Sequence, residues 1–145
     1  MTSSHLPEHG PLLGLDLGTR TVGVAVSDRA QELAVAVETI RVPRPTASLP
    51  RLEVVARERA AVGLVVGLPL HLDGRAGTRA QSAKRVAGIL SRALDLPLTL
   101  WDERLSTRAV EQALIRADVS RARRRQGIDA ESAVWMLQGF LDSLR

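Results

Sequence analysis

The sequence predicts a single α/β domain built on a mixed five-stranded sheet, three antiparallel strands followed by parallel ones, with helices on both faces. Three observations carry this. The stretch Leu12–Asp28 reads as two short apolar strands joined by a tight Gly18-Thr19-Arg20-Thr21 turn, and Ala34–Val42 continues the meander. Gly63-Leu64-Val65-Val66-Gly67 is a continuous apolar run, the pattern of a central strand buried on both faces. Segments with helical apolar spacing separate the later strands, as crossovers between parallel strands require. A chain of 145 residues suits one core.

Taken in order, Met1–Pro11 is polar and is expected as a flexible tail, leaving 12–145 as the domain. After the meander, which Pro43 and Pro45 end, Leu49–Ala61 places Leu52, Val55 and Ala56 on one helical face. The Gly63–Gly67 strand leads into the loop Leu68–Ala76, where Pro69 and Asp73-Gly74 form turns. Gly77–Leu94 is a second amphipathic helix, with Ala80, Ala83, Ala87 and Leu90 inward, and Leu96–Trp101 a strand. Thr107–Ala117 is expected as a third helix, Asp118–Gly127 as an arginine-loaded connector, and Ile128–Leu144 as the last helix. The order is βββ-αβ-αβ-α-α.

Composition narrows the chemistry. There is no cysteine, and two of the three histidines, His5 and His9, lie in the tail, so thiolate and His-rich zinc sites are ruled out as readings. Any metal must rest on carboxylates, which favours Mg²⁺ or Mn²⁺. The net charge of +4 is carried almost entirely by arginine, Lys84 being the sole lysine. Such a balance suits a polyanionic partner, although an arginine bias spread along the whole chain is also a mark of genome composition. No apolar run approaches membrane-spanning length, and a cytoplasmic protein without a membrane partner is expected.

Asp16 breaks the apolar pattern of its strand. Leu13, Leu15 and Leu17 share one face, and Gly14, Asp16 and Gly18 the other. Glycines on either side leave bare space above the carboxylate, which an ion or phosphate could occupy; a turn-capping aspartate is the alternative. Glu103 follows Asp102 just beyond the carboxyl end of its strand, where α/β sheets bind ligands, and helix-dipole support is the competing reading. Asp129 stands at the expected start of the last helix and is a candidate N-cap as well as a candidate ligand. The run Arg121-Ala122-Arg123-Arg124-Arg125 lies just before it, either a solvated loop or a phosphate clamp. Trp101 reads as a core residue rather than a base-stacking platform. Three separated carboxylates suit phosphodiester hydrolysis, in which two divalent ions ~3.5–4 Å apart neutralise the transition state and activate water.

These residues resemble the YqgF (RuvX-like) family of the RNase H-like superfamily. The resemblance rests on Gly14-Leu-Asp-Leu-Gly-Thr-Arg20 with Gly23-Val-Ala-Val-Ser-Asp28, on Val66–Gly77, on Asp102-Glu-Arg-Leu-Ser-Thr107, and on Ile128-Asp-Ala-Glu-Ser-Ala133 with Leu137-Gln138. It implies an RNase H-like fold and a metal-dependent nuclease using Asp16, Glu103 and Asp129, with two Mg²⁺ or Mn²⁺ ions. Arg20, Arg75, Arg104, Arg123, Arg124 and Arg125 are the expected nucleic-acid contacts. Two departures are visible: Arg20-Thr21 replaces the Lys-Arg common in the family, and Ser132 stands where Ala is usual. The resemblance implies maturation of the end of pre-16S rRNA or resolution of Holliday junctions in branched DNA, by a monomer or a homodimer. Gly-x-Asp-x-Gly-Thr also opens actin-like ATP-binding proteins, but those pair two such domains around the nucleotide; a non-catalytic nucleic-acid-binding protein is the third class.

Overall fold

The computed structural model describes residues 6–69, 77–102 and 121–145, with the backbone alone for 121–129. Strands β1 (Leu12–Leu17), β2 (Thr21–Ser27) and β3 (Ala34–Arg41) precede a 3-10 turn at Pro45–Ser48 and helix α1 (Leu49–Glu58). Then come β4 (Gly63–Leu68), α2 (Thr78–Leu94), β5 (Leu98–Asp102) and the long helix α3 (Arg121–Ser143). The sheet order is β3-β2-β1-β4-β5, with β1–β2 and β2–β3 antiparallel and β1–β4 and β4–β5 parallel. This is the expected mixed sheet. The expected helix at Thr107–Ala117 lies outside the described residues.

Alternation along the strands divides the interior into two layers. Leu13, Leu15, Leu17, Val22, Val24 and Val26 point to the side covered by α1 and α2, where they meet Leu52, Val55, Ala83, Ala87 and Leu90. Leu12, Ala25 and Val65 point the other way, against Ala133, Met136, Leu137, Phe140 and Leu141 of α3. A strand residue deletion would exchange the two sets, so the register is fixed by the cores themselves. Leu137 comes so close that a Cβ on Gly14 would lie 2.9 Å from the Leu137 Cβ. Gly14 is therefore the seat of α3. Of the space expected to be bare around Asp16, the part over Gly14 is filled by this helix, because a glycine on a covered sheet face invites close backbone approach.

The free end of the sheet is tied to α3 through Gln138. Its Oε1 accepts the Ala34 N–H at 2.9 Å, and its Nε2 donates to the Glu32 carbonyl at 2.8 Å. Asp28 holds the same β2–β3 connection by accepting the N–H groups of Glu32 and Leu33, and these bonds pull its carboxyl below the usual range. On the opposite face, Arg51 of α1 grips Glu38 of β3 in a forked ion pair at 2.6–3.0 Å. The segment 6–11, assigned on sequence to the tail, makes defined contacts with the domain. Gln31 Nε2 donates to the Pro7 and Gly10 carbonyls, and Leu6 packs on the α3-side core.

Two expectations about the last helix are corrected. Arg121–Gly127 is helical, not a connector, and Asp129 lies well inside α3 rather than capping it. Arginine, alanine and glutamine are strong helix formers, and here propensity outweighs the repulsion that makes a like-charge run read as loop. No helix among the described residues is long and apolar enough to cross a membrane.

Candidate active site

Asp16 is the penultimate residue of β1 and half-buried, on the α3 face. It pairs with Gly23 on β2. On the other side, Leu15 pairs with Val66, so Gly67 of β4 stands one step on, level with Asp16, and Gly67 in turn pairs with Trp101. Across the sheet this row reads Thr39, Gly23, Asp16, Gly67, Trp101. The carboxylate thus stands between the side chains of Thr39 and Trp101, and its immediate lateral neighbours carry no Cβ. The expectation of glycine surroundings holds in a different geometry: the glycines that matter lie on the neighbouring strands, and Gly14 belongs to helix packing. Sequence reading missed Gly23 and Gly67 because only strand register reveals them.

The β1–β2 turn closes with the Gly18 N–H donating to the Thr21 carbonyl at 2.8 Å. Thr21 folds back over it, so that a Cβ on Gly18 would lie 2.7 Å from the Thr21 hydroxyl. Arg20 is exposed at the tip, its carbonyl accepting the Val42 N–H at 3.0 Å, which fixes the turn to the end of β3.

β5 carries the second candidate segment to the same end of the sheet. Leu98 and Leu100 join the α1–α2 core, while Trp101 turns to the α3 side and meets Phe140 edge-to-face, ring centroids 5.7 Å apart at 79°. Trp101 is a packing residue, as read from the sequence. The strand ends at Asp102; Glu103 lies outside the described residues, as do Arg75 and Arg104.

The direction of α3 brings the third candidate segment to this end. Beyond Leu137, which sits on Gly14, Gln138 meets the start of β3, and Arg145 donates to the Gln31 carbonyl at the opposite end of the sheet from Asp16. The turns of α3 that precede Leu137 therefore run toward the carboxyl end of β1, and the backbone of Asp129 lies on that part. Arg123, Arg124 and Arg125 lie further along the same helix, so the expected clamp is on a helix rather than a loop. Among the described residues no group of three His, Cys, Asp or Glu is placed to hold a metal; the side chains of Glu103 and Asp129 are not among them.

Known proteins place this arrangement. A protein of Rhodopseudomonas palustris (strain BisB5) named "Putative pre-16S rRNA nuclease" is 53% identical over 142 residues, covering 98% of this chain and 89% of its own. One of the same name from Bradyrhizobium sp. (strain ORS 278) is 54% identical over 138 residues, covering 95% and 86%. Among solved structures, T. thermophilus RuvC in complex with a Holliday junction substrate superposes with a TM-score of 0.61 over 94% of this chain and 96% of that one. At 13% identity that likeness is one of fold, the RuvC-like RNase H fold. The model of the family described as "RuvX: Holliday junction resolvase" matches residues 10–143, from just before β1 to the end of α3, and the chain belongs to this family.

Proposed function

We propose that this protein is a divalent-metal-dependent nuclease whose catalytic carboxylates are Asp16, Glu103 and Asp129, and whose principal substrate is the precursor of 16S rRNA, in the cytoplasm. The observation that carries the reading is Asp16, a half-buried acid between Gly23 and Gly67 at the carboxyl end of β1, in a chain of the RuvX family. Its row fits an ion: hard carboxylate oxygens and no Cβ on either adjacent strand. Sequence parity and helical spacing support Glu103 and Asp129 as the other two ligands. Thr99 and Trp101 alternate onto the Asp16 face, and the next residue of that parity is Glu103. Positions 129, 133 and 137 recur at helical spacing, so Asp129 holds the register position of the stripe that Ala133 and Leu137 bring to the sheet.

When bound, Mg²⁺ or Mn²⁺ would withdraw charge from the phosphodiester and make a bound water nucleophilic near neutral pH. The chain itself would hold the phosphate. Arg20 at the turn and Arg123, Arg124 and Arg125 on α3 supply forked guanidinium donors for non-bridging oxygens.

The names of the relatives favour RNA; the family description and the RuvC fold favour branched DNA, which stays as the second reading. Metals act on the phosphodiester that both polymers share, so the choice rests on the substrate in the cell. Depletion of the protein followed by mapping of 16S rRNA ends tests it. Extended, unprocessed 16S ends are expected; normal ends with accumulated four-way DNA junctions would replace the RNA reading with the resolvase one.

A further inference from the structure

A second feature lies at the same end of the sheet but on its other face. The turn residue Arg20, Arg41 at the end of β3, Arg44 before the 3-10 turn and Arg79 in the first turn of α2 are all exposed, and all stand at the carboxyl end of β1. Arg41 pairs with Thr21 and so belongs to the Asp16 face, whereas Arg44 and Arg79 lie on the α1–α2 side. The four form a rim that passes over the β1–β2 turn from one face to the other. No acidic residue occurs in 17–21, 39–52 or 77–94, the segments that build it. The opposite end of the sheet is different: Glu8, Asp28, Glu32, Asp95 and Asp142 gather there. None of the rim arginines has an ion-pair partner among the described residues, in contrast to Arg51 and Arg145.

Below the rim is a cleft of about 220 Å³ between the turn, Pro45 and α2. Its floor is apolar (Leu17, Pro45, Ala83, Val86), and Arg79, Ser82 and Thr19 form its polar lip. That volume is below the ~300 Å³ at which pockets take up whole drug-sized ligands. It suits one planar group whose charged remainder stays outside. α2 adds its first-turn N–H groups and positive end, with no acid in the first turn and no side-chain cap among the described residues.

We propose that a single-stranded segment flanking the scissile phosphate crosses the β1–β2 turn onto the α1–α2 face, its phosphates on Arg20, Arg41, Arg44 and Arg79 and one unstacked base in the cleft. Apolar floor and cationic lip match the two halves of a nucleotide, and an extruded base is what single-stranded recognition uses. A paired base has its edge occupied and its faces stacked, and cannot enter. The proposal rests on the nuclease reading and names the route of its substrate.

The test compares Arg44→Ala/Arg79→Ala and Ser82→Leu with the full-length wild type. Binding of a labelled RNA duplex, blunt or with a single-stranded extension of about ten nucleotides, is read without divalent ion across a salt series. For the extended duplex the double arginine variant is expected to bind about tenfold more weakly at 0.1 M salt, its slope reduced by about 1.4, two single-strand contacts at ~0.7 each. Ser82→Leu, filling the lip, is expected to weaken the same duplex about threefold with the slope unchanged. Blunt duplex should bind all three proteins alike. Equal losses on both duplexes, or none on either, would overturn the route. Wild-type cleavage with Mn²⁺ is scored beside binding: a wild type that cleaves leaves the nuclease reading standing when the route fails, and one that neither binds nor cleaves any substrate overturns both.

Discussion

Gly14 shows how much one residue fixes. It lies between two leucines on a strand where any apolar side chain would suit the pattern, yet Leu137 of α3 occupies the place of its side chain. Because the nearest atom is the Leu137 Cβ, rotation of that side chain cannot relieve the contact. Gly14→Ala should therefore destabilise the protein by about 1–3 kcal/mol through overpacking, read as a lower urea midpoint. A midpoint equal to wild type would mean that α3 can move off the sheet freely. At this scale the sequence was half legible. The alternation that puts Gly14 and Asp16 on one face is a property of any strand, so it could be read directly. That Gly14 serves the helix, while Gly23 and Gly67 serve the carboxylate, depends on which strands are neighbours, and no local pattern encodes that.

Elements tell a similar story. The hairpin, the central β4 strand and α2 are legible because their patterns match their environments, apolar runs for strands covered on both faces and a period of 3.6 for a surface helix. The beginning of α3 is not, since five residues containing four arginines satisfy a loop rule and a helix rule at once. The edge strand β3 has its own fastening in Glu38 and Arg51, whose guanidinium holds the carboxyl below the usual glutamate range. A depressed carboxyl stabilises the fold above its unfolded value of ~4.3 and ceases to do so as pH falls through the folded value. Arg51 is about half exposed, its side chain at 47%, so solvent screening limits the pair to a small contribution. Glu38→Gln should lower stability slightly at pH 7 and match wild type near pH 3. A difference that persists at pH 3 would assign the effect to packing rather than charge.

For the whole molecule, the arrangement of layers decides where chemistry can occur. α1 and α2 seal one face of the sheet and the C-terminal half of α3 seals part of the other, leaving the carboxyl ends of β1, β4 and β5 as the place where three segments meet. Asp16 stands at that end because it is the penultimate residue of β1, and parallel strands share a direction, the usual reason that α/β sheets bind ligands at that edge. The same edge collects the exposed arginines of the rim, whereas at the opposite end Asp28 holds the β2–β3 connection and Glu32 faces Arg145. The strand order needed for this could be anticipated, since a meander followed by crossovers has few compact solutions.

Asp16 is proposed as a metal ligand in a nuclease, and Asp16→Asn probes that role. Asparagine keeps the shape of a half-buried residue while removing the anionic oxygen a hard cation requires. The measurement is Mn²⁺- and Mg²⁺-dependent cleavage of a structured 16S precursor, with circular dichroism and thermal unfolding recorded on the same samples. Cleavage is predicted to fall at least about a hundredfold while the fold is retained, in keeping with the several kcal/mol that metal stabilisation of the transition state supplies. A folded Asp16→Asn protein that cleaves at the wild-type rate would show that Asp16 is not a metal ligand.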